Sequence, residues 1–276
     1  MRIAVLQMTT GIDPVANART LTEAVADARR GGAAMLFTPE MSGVLDSNRS
    51  RAAGNLHPES DDAVLAAVRK AAAEQGIWVH LGSLAVRGDD GKLANRAYVI
   101  DSDGNIRARY DKLHLFDVDL PTGESWRESA SYTPGSGAVV VDTPVGQVGL
   151  AICYDMRFPD LFRALSDAGA TLLAVPAAFT RPTGAAHWHI LLRARAIEAA
   201  AFVVAAAQTG VHEDGRATYG HSLVIDPWGR IIAELDHDEP GVLLAEIAPE
   251  QVADARERIP ALANARNFAL PGALQR

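Results

Sequence analysis

Val148-Gly149-Leu150-Ala151-Ile152-Cys153-Tyr154-Asp155-Met156-Arg157-Phe158-Pro159 is the stretch on which the reading of this chain turns. Apolar and small residues run into a thiol, a polar turn follows, and Pro159 opens the helical segment Pro159-Asp160-Leu161-Phe162-Arg163-Ala164-Leu165. The pattern is a buried strand, a turn and a helix, with Cys153 at the strand exit. Side chains at the carboxyl ends of strands sit on the rim of an α/β sheet, where open sheets place ligands. Amides at the start of the following turn are suited to stabilising negative charge. Cys153 is the only cysteine in 276 residues. A lone cysteine is commonly a small hydrophobe of the core, so position alone supports a catalytic thiol and a packing residue about equally.

Outward from Cys153 the chain alternates strand and helix. Residues 2–8 form a first strand, and Asp13-Pro14 caps and starts a helix through Arg30. A short buried strand follows at 33–37, then a helix near 61–75 and strands near 77–84, 96–101 and 106–110. Asp101-Ser102-Asp103-Gly104-Asn105 has the composition of a hairpin turn. Residues 113–137, rich in Pro, Gly, Ser and charge, read as a long ordered loop of the kind that walls an active site. Beyond it come strands at 138–142 and 147–152, a helix at 159–168, a strand at 171–175, a helix at 185–200 and a strand at 202–208. The last strands fall near 221–226, 230–235 and 242–247, and a partly helical packing tail begins at about 257. Apolar runs on several strands imply a sheet covered on both faces. The expectation is one α/β domain over 1–276, without sequence repeats.

The net charge of −8 and the lack of a basic run argue against nucleic acid or an anionic membrane as partner. The longest wholly apolar stretch, Ala199 to Ala207, is too short to span a bilayer. The N-terminal apolar segment is a strand rather than a signal peptide, and one cysteine excludes an internal disulfide. A cytoplasmic protein is expected.

Two further residues stand at strand exits. Glu40 closes Phe37-Thr38-Pro39-Glu40, and Lys112 follows its strand in Tyr110-Asp111-Lys112-Leu113-His114. Each by itself is more often a solvated charge. Together with Cys153 they supply what acyl transfer needs. A neighbouring ammonium favours the thiolate, and a carboxylate can shuttle the proton from thiol to leaving amine. Lys112 with the Tyr154 amide can hold the oxyanion.

With these three motifs the chain resembles the nitrilase superfamily of carbon–nitrogen hydrolases, from Ala4-Val5-Leu6-Gln7 to Asp226-Pro227-Trp228-Gly229. The resemblance implies a four-layer α-β-β-α sandwich and a Glu40–Lys112–Cys153 triad. It places a second glutamate at Glu128, ahead of Tyr132-Thr133-Pro134-Gly135, to orient Lys112. Tyr132 stands where the family more usually has phenylalanine, and Asp160 where it has glutamate. The resemblance further implies that no cofactor or metal is required and that the chain forms a homodimer or larger even oligomer. Within the superfamily the chain is similar to the deaminated-glutathione amidase branch. The stretches carrying this are Phe116-Asp117-Val118, Thr183-Gly184-Ala185-Ala186-His187-Trp188, Leu192-Arg193-Ala194-Arg195-Ala196-Ile197-Glu198 and Tyr219-Gly220-His221-Ser222. Omega-amidases, acting on 2-oxo acid monoamides, share part of these stretches, and N-carbamoyl or aliphatic amide hydrolases are further alternatives. The substrate expected is a small amide carrying a carboxylate. Arg157 is suited to grip that carboxylate with two parallel hydrogen bonds, against the alternative of a salt bridge to Asp155 or Asp160. Tyr154, Phe179 and Thr180 are expected to line the pocket.

Other signals carry less. His187-Trp188-His189 lacks the cysteine or acidic neighbours of a metal site, and the two histidines diverge on a helix. Arg193, Arg195 and Glu198 suit structural ion pairs, and Trp228 suits packing. Gly135-Ser136-Gly137 precedes a strand, so no nucleotide loop follows. A papain-like pairing of Cys153 with a histidine, and a catalytically idle binding protein, are the rival readings.

Overall fold

The computed structural model describes residues 1–119, 123 and 125–266. Its strands are β1 (Arg2–Gln7), β2 (Met35–Phe37), β3 (Trp78–Arg87), β4 (Leu93–Ile100), β5 (Ile106–Asp111), β6 (Asp117–Asp119), β7 (Ser125–Arg127) and β8 (Val140–Thr143). They continue as β9 (Gly146–Leu150), β10 (Leu172–Ala174), β11 (Phe202–Ala205), β12 (Thr209–Val211), β13 (Ala217–Tyr219), β14 (Leu223–Ile225), β15 (Ile231–Glu234) and β16 (Gly241–Glu246). The helices are α1 (Pro14–Arg30), α2 (Arg49–Ala52), α3 (Ala63–Gln75), α4 (Pro159–Asp167), α5 (Arg181–Ala199), α6 (Glu250–Arg258) and α7 (Ala261–Asn264). The last ten residues of the expected C-terminal tail lie outside the described residues.

Two six-stranded sheets carry the fold, in the orders β16-β1-β2-β3-β4-β5 and β15-β14-β11-β10-β9-β8. Each has three neighbouring parallel strands (β1-β2-β3 and β9-β10-β11), flanked by antiparallel partners. Although the sequence shows no repeat, the sheets therefore repeat one strand plan. Parallel neighbours need helical crossovers, which α1 and α3 supply for the first sheet and α4 and α5 for the second.

The layers follow from the period-two alternation of strand side chains. Ile3, Val5, Met35, Phe37, Ala97 and Val99 point between the sheets, where they join Val148, Leu150 and Leu172. Their neighbours Ala4, Leu6, Leu36, Tyr98 and Ile100 point the other way, onto Leu21, Val25, Val64 and Val68 of α1 and α3. On the far side, Leu161 and Leu165 of α4 and Trp188 and Leu192 of α5 cover the second sheet. The result is an α-β-β-α sandwich, as the resemblance implied.

Local signals fix the helix ends. Asp13 accepts from the Val15 amide at 2.9 Å with Pro14 just inside α1, and Asp62 accepts from Leu65 at 2.8 Å. α3 accordingly starts at Ala63, two residues later than the helix expected from 61. The long 113–137 segment contains the small β6–β7 hairpin and a short 3₁₀ turn, Glu128–Ala130. Trp228 is 50% exposed, so its expected packing role is corrected. Its turn is closed instead by Asp226, whose carboxylate accepts from the Trp228 and Arg230 amides.

Candidate active site

Glu40, Lys112 and Cys153 leave β2, β5 and β9 on one rim of the two sheets, and all three are buried. Lys112 Nζ lies 3.0 Å from Glu40 Oε1 and 2.9 Å from Glu128 Oε2. Cys153 shares a cavity wall with Glu40, Lys112 and Glu128, and the Glu40 and Lys112 charges act on its thiol. The geometry thus brings together all four residues of the expected catalytic group.

Each is held by backbone that the sequence shapes for the purpose. Thr38 donates its amide to the His80 carbonyl (3.0 Å) and accepts the Gly82 amide on Oγ1 (3.0 Å). Gly82 is pressed so closely that a Cβ there would lie 2.0 Å from the Thr38 carbonyl oxygen and 2.5 Å from that of Pro39. Glu40 is then fixed by both oxygens: Oε2 accepts the Ala178 amide at 2.9 Å, and Oε1 accepts Asn95 Nδ2 at 3.0 Å. Lys112 is seated by its own amide on the Asn95 carbonyl and by the Gly135 amide on its carbonyl, both at 2.9 Å. Gly135 has to be glycine for this approach, since a Cβ would sit 2.1 Å from the Asp111 carbonyl oxygen. Glu128 accepts from the Phe116 amide at 2.6 Å and from Asn95 Nδ2 at 3.2 Å.

Cys153 has φ +49°, a left-handed conformation that costs a non-glycine residue about 1–3 kcal/mol and persists only when its surroundings enforce it. The enforcement is visible. Its amide donates to the Pro176 carbonyl at 2.9 Å. Asp155, fully buried, accepts from the Ile152 amide (2.8 Å), the His114 amide (3.0 Å) and the Tyr110 hydroxyl (2.7 Å). One carboxylate therefore ties the turn that bears the thiol to the segment that bears Lys112. Burial, then the Asp155 charge, pushes the Tyr110 phenol well above its usual range, so it remains a donor.

Burial, and next the Glu40 charge, push the Cys153 thiol well above its ordinary pKa; Lys112 and the Ala178 amide oppose this without prevailing. The resting nucleophile is therefore held as a thiol, the form from which a carboxylate can take the proton. Its proton has to move as it attacks, and Glu40 is the carboxylate beside it on the cavity wall. Burial pulls the Lys112 ammonium down, yet Glu128 and Glu40 together hold it well above the ordinary lysine value, so it keeps its charge.

These groups line a cavity of ≈ 600 Å³, within the usual range for small-molecule sites. Tyr154, Phe179 and Thr180 line it as expected, along with Phe116, Trp126 and Tyr132. Arg157 is not among the lining residues. Its guanidinium lies 5.8 Å from the Tyr154 ring centre, 5.4 Å from that of Phe179 and 3.2 Å from His187 Nδ1. Neither Asp155 nor Asp160 pairs with it among the described residues. In the His187-Trp188-His189 run, Trp188 is fully buried and donates to the His221 carbonyl, His189 meets Glu234 at 2.6 Å, and His187 is exposed. Arg195 pairs with Glu198, whereas Arg193 donates to the Gly229 carbonyl instead of forming an ion pair.

Three positioning residues escaped the sequence reading: Asn95, Asp155 and Gln208. Gln208 donates to the Glu40 carbonyl at 2.9 Å and accepts the Thr10 amide at 3.0 Å. A signal existed for two of them. Asn95 is an amide inside an apolar strand, where asparagine is disfavoured, and Gln208 is a polar residue closing the run Ala199–Ala207.

Comparison with known proteins identifies the family. A family model described as carbon–nitrogen hydrolase matches residues 2–257. The chain belongs to that family, within the nitrilase superfamily, and is a carbon–nitrogen hydrolase. A bovine (Bos taurus) relative named deaminated glutathione amidase is 40% identical over 96% of this chain and 81% of its own length. The NitFhit protein of C. elegans superposes with a TM-score of 0.89 at 39% identity; the match covers 96% of this chain and 65% of that longer one. A glutamate-to-glutamine mutant of the amidase from Nesterenkonia sp. AN1 has a TM-score of 0.80 at 29% identity, covering 96% of this chain and 94% of that one. That structure shows covalent addition of the acetamide moiety of fluoroacetamide at its active site cysteine.

Proposed function

We propose that this protein is a cysteine amidase that hydrolyses deaminated glutathione to 2-oxoglutarate and cysteinylglycine. The observation that carries the chemistry is the buried Lys112 ammonium clasped by Glu40 and Glu128 beside the Cys153 thiol. The bovine relative's name supports the substrate, and a cavity of ≈ 600 Å³ accommodates a molecule of that size.

In the first half-reaction Cys153 Sγ attacks the amide carbonyl carbon while its proton passes to Glu40. The oxyanion is held by the Lys112 ammonium and the Tyr154 amide, a contribution of about 3–4 kcal/mol per donor in well-studied hydrolases. Glu40 returns the proton to the amine, the C–N bond breaks, and a thioester remains. Water then attacks the thioester, giving its proton to Glu40, which passes it to the departing thiolate. Glu128 keeps Lys112 aligned through both half-reactions. Tyr154, Phe179 and Thr180 orient the acyl group, and the Arg157 guanidinium over the first two rings steadies them.

Residues 1–276 form a single hydrolase domain in this reading, working as a homodimer in the cytoplasm. The exposed apolar residues Ile190, Ile197, Trp228, Ile231 and Ile232 support the dimer. Side-by-side turnover of deaminated glutathione, 2-oxoglutaramate and an N-carbamoyl amino acid tests the substrate. The tripeptide analogue is expected to have the highest kcat/KM. Faster ammonia release from 2-oxoglutaramate would make the protein an omega-amidase.

A further inference from the structure

Six cationic side chains line the cavity: Arg49, Arg87, Lys92, Lys112, Arg127 and Arg216. Five of them are poorly placed to bind an anion inside it. Lys112 is taken by two carboxylates. Arg127 Nη2 donates to both Asp119 carboxylate oxygens at 2.8 Å. Arg87, Arg49 and Lys92 are exposed at the rim, and Arg87 donates to the Leu56 carbonyl at 3.2 Å.

Arg216 differs from all of these. It is half-buried, directly ahead of β13, with its guanidinium 4.8 Å from the centre of the Trp126 ring. Among the described residues its sole ion-pair partner is Asp214, at a loose 3.4 Å. Asp214 is itself engaged by the Ser47 amide at 2.8 Å and the Arg216 amide at 3.0 Å. The other nearby acid, Asp46, is bound bidentately by Arg51 at 2.7 and 2.9 Å. Arg216 Nε is buried without a hydrogen-bond partner, as is Trp126 Nε1. Buried donors are rarely left unmade, and elsewhere in this chain arginines beside acids close proper forks, as Arg96 does on Asp111 at 2.6 and 2.9 Å. A stacked guanidinium with spare donors on a cavity wall matches the planar, two-oxygen geometry of a carboxylate.

We propose that Arg216, backed by the Trp126 ring, is the residue that reads a substrate carboxylate and so sets specificity for anionic amides. The inference rests on the amidase reading above and adds a recognition residue to it. Deaminated glutathione carries carboxylates on both sides of the scissile bond, and either could be the one bound.

The test uses wild type, Arg216→Gln and Arg216→Lys on matched amides. In each pair one carboxylate, on the acyl side or on the leaving group, is replaced by a neutral carboxamide. Arg216→Gln is expected to lower kcat/KM by about 10–100-fold for the substrate bearing the recognised carboxylate, chiefly through KM. The neutral partner should change about threefold or less, and Arg216→Lys should restore part of the loss. The pair that responds identifies the carboxylate. Equal losses on charged and neutral partners, or no loss, would overturn the proposal. If the wild type hydrolyses none of these amides, the substrate reading fails separately. The subsite is then read from protection of Cys153 against iodoacetamide by 2-oxoglutarate and by N-acetylcysteinylglycine. Protection lost in Arg216→Gln supports it, and protection that is absent or unchanged overturns it.

Discussion

Lys112 is the residue on which the site's electrostatics converge. Its ammonium neutralises two carboxylates that could not otherwise be buried together. Lys112→Ala is therefore expected to lower kcat by at least about 10²–10³-fold and to cost about 3–5 kcal/mol of stability. Steady-state kinetics and urea unfolding of the same preparation check both. A histidine-paired thiol would predict nearly full activity for this variant. A second residue gives a pH signature. Burial holds His80 neutral, its pKa lowered to about 3 from 6.5. Above pH 6.5 neither the folded nor the unfolded state binds the proton. Between pH 6.5 and about 3 only the unfolded state does, so stability falls with acidification by up to about 1.4 kcal/mol per pH unit. Urea unfolding of wild type and His80→Leu across this range should show wild type losing stability relative to the variant at that slope on acidification, and a constant difference would contradict it.

At the scale of elements, strand exits explain what the sequence could tell. Glu40, Lys112 and Cys153 were legible because each follows a strand and the three occur together; singly, Glu40 and Lys112 read as solvated charges. Asp155 was not legible in its actual role. Its partners Ile152, His114 and Tyr110 converge only once β5 and β9 have paired in different sheets. The same holds for the Ala178 amide on Glu40. Spacing from the nucleophile put Arg157 near the site, and its guanidinium lies over the rings of Tyr154 and Phe179. The protonated state of Cys153 depends on burial, which spacing does not encode. The crossing at Gly82 is the most demanding backbone contact in the site. Gly82→Ala places a Cβ 2.6 Å from Pro176 Cβ as well as against two carbonyls. Overpacking of this kind costs about 1–3 kcal/mol or more, and here the backbone that yields bears Glu40. Thermal unfolding and kcat are expected to fall together, whereas a stable, fully active Gly82→Ala would show that Glu40 is positioned by other means.

For the whole molecule, two sheets with one strand plan bring three segments far apart in sequence to a common rim, which leaves the opposite face of α5 to meet solvent or a partner. Ile190 and Ile197, two turns apart on α5, are 70% and 54% exposed, and Trp228 and Ile231 are exposed as well; exposed apolar side chains of this kind suit an interface. Sedimentation equilibrium is expected to give a dimer that Ile190→Asp with Ile197→Asp converts to monomer; a monomeric wild type would remove the dimer from the account. The catalytic claim itself is tested by rapid acid quench during turnover of an amide substrate, followed by peptide mass spectrometry. The account predicts the mass of the acyl group on the peptide containing Cys153, and neither adduct nor turnover in Cys153→Ala. Undiminished hydrolysis by Cys153→Ala, with Cys153 unmodified in the turning-over wild type, would contradict it.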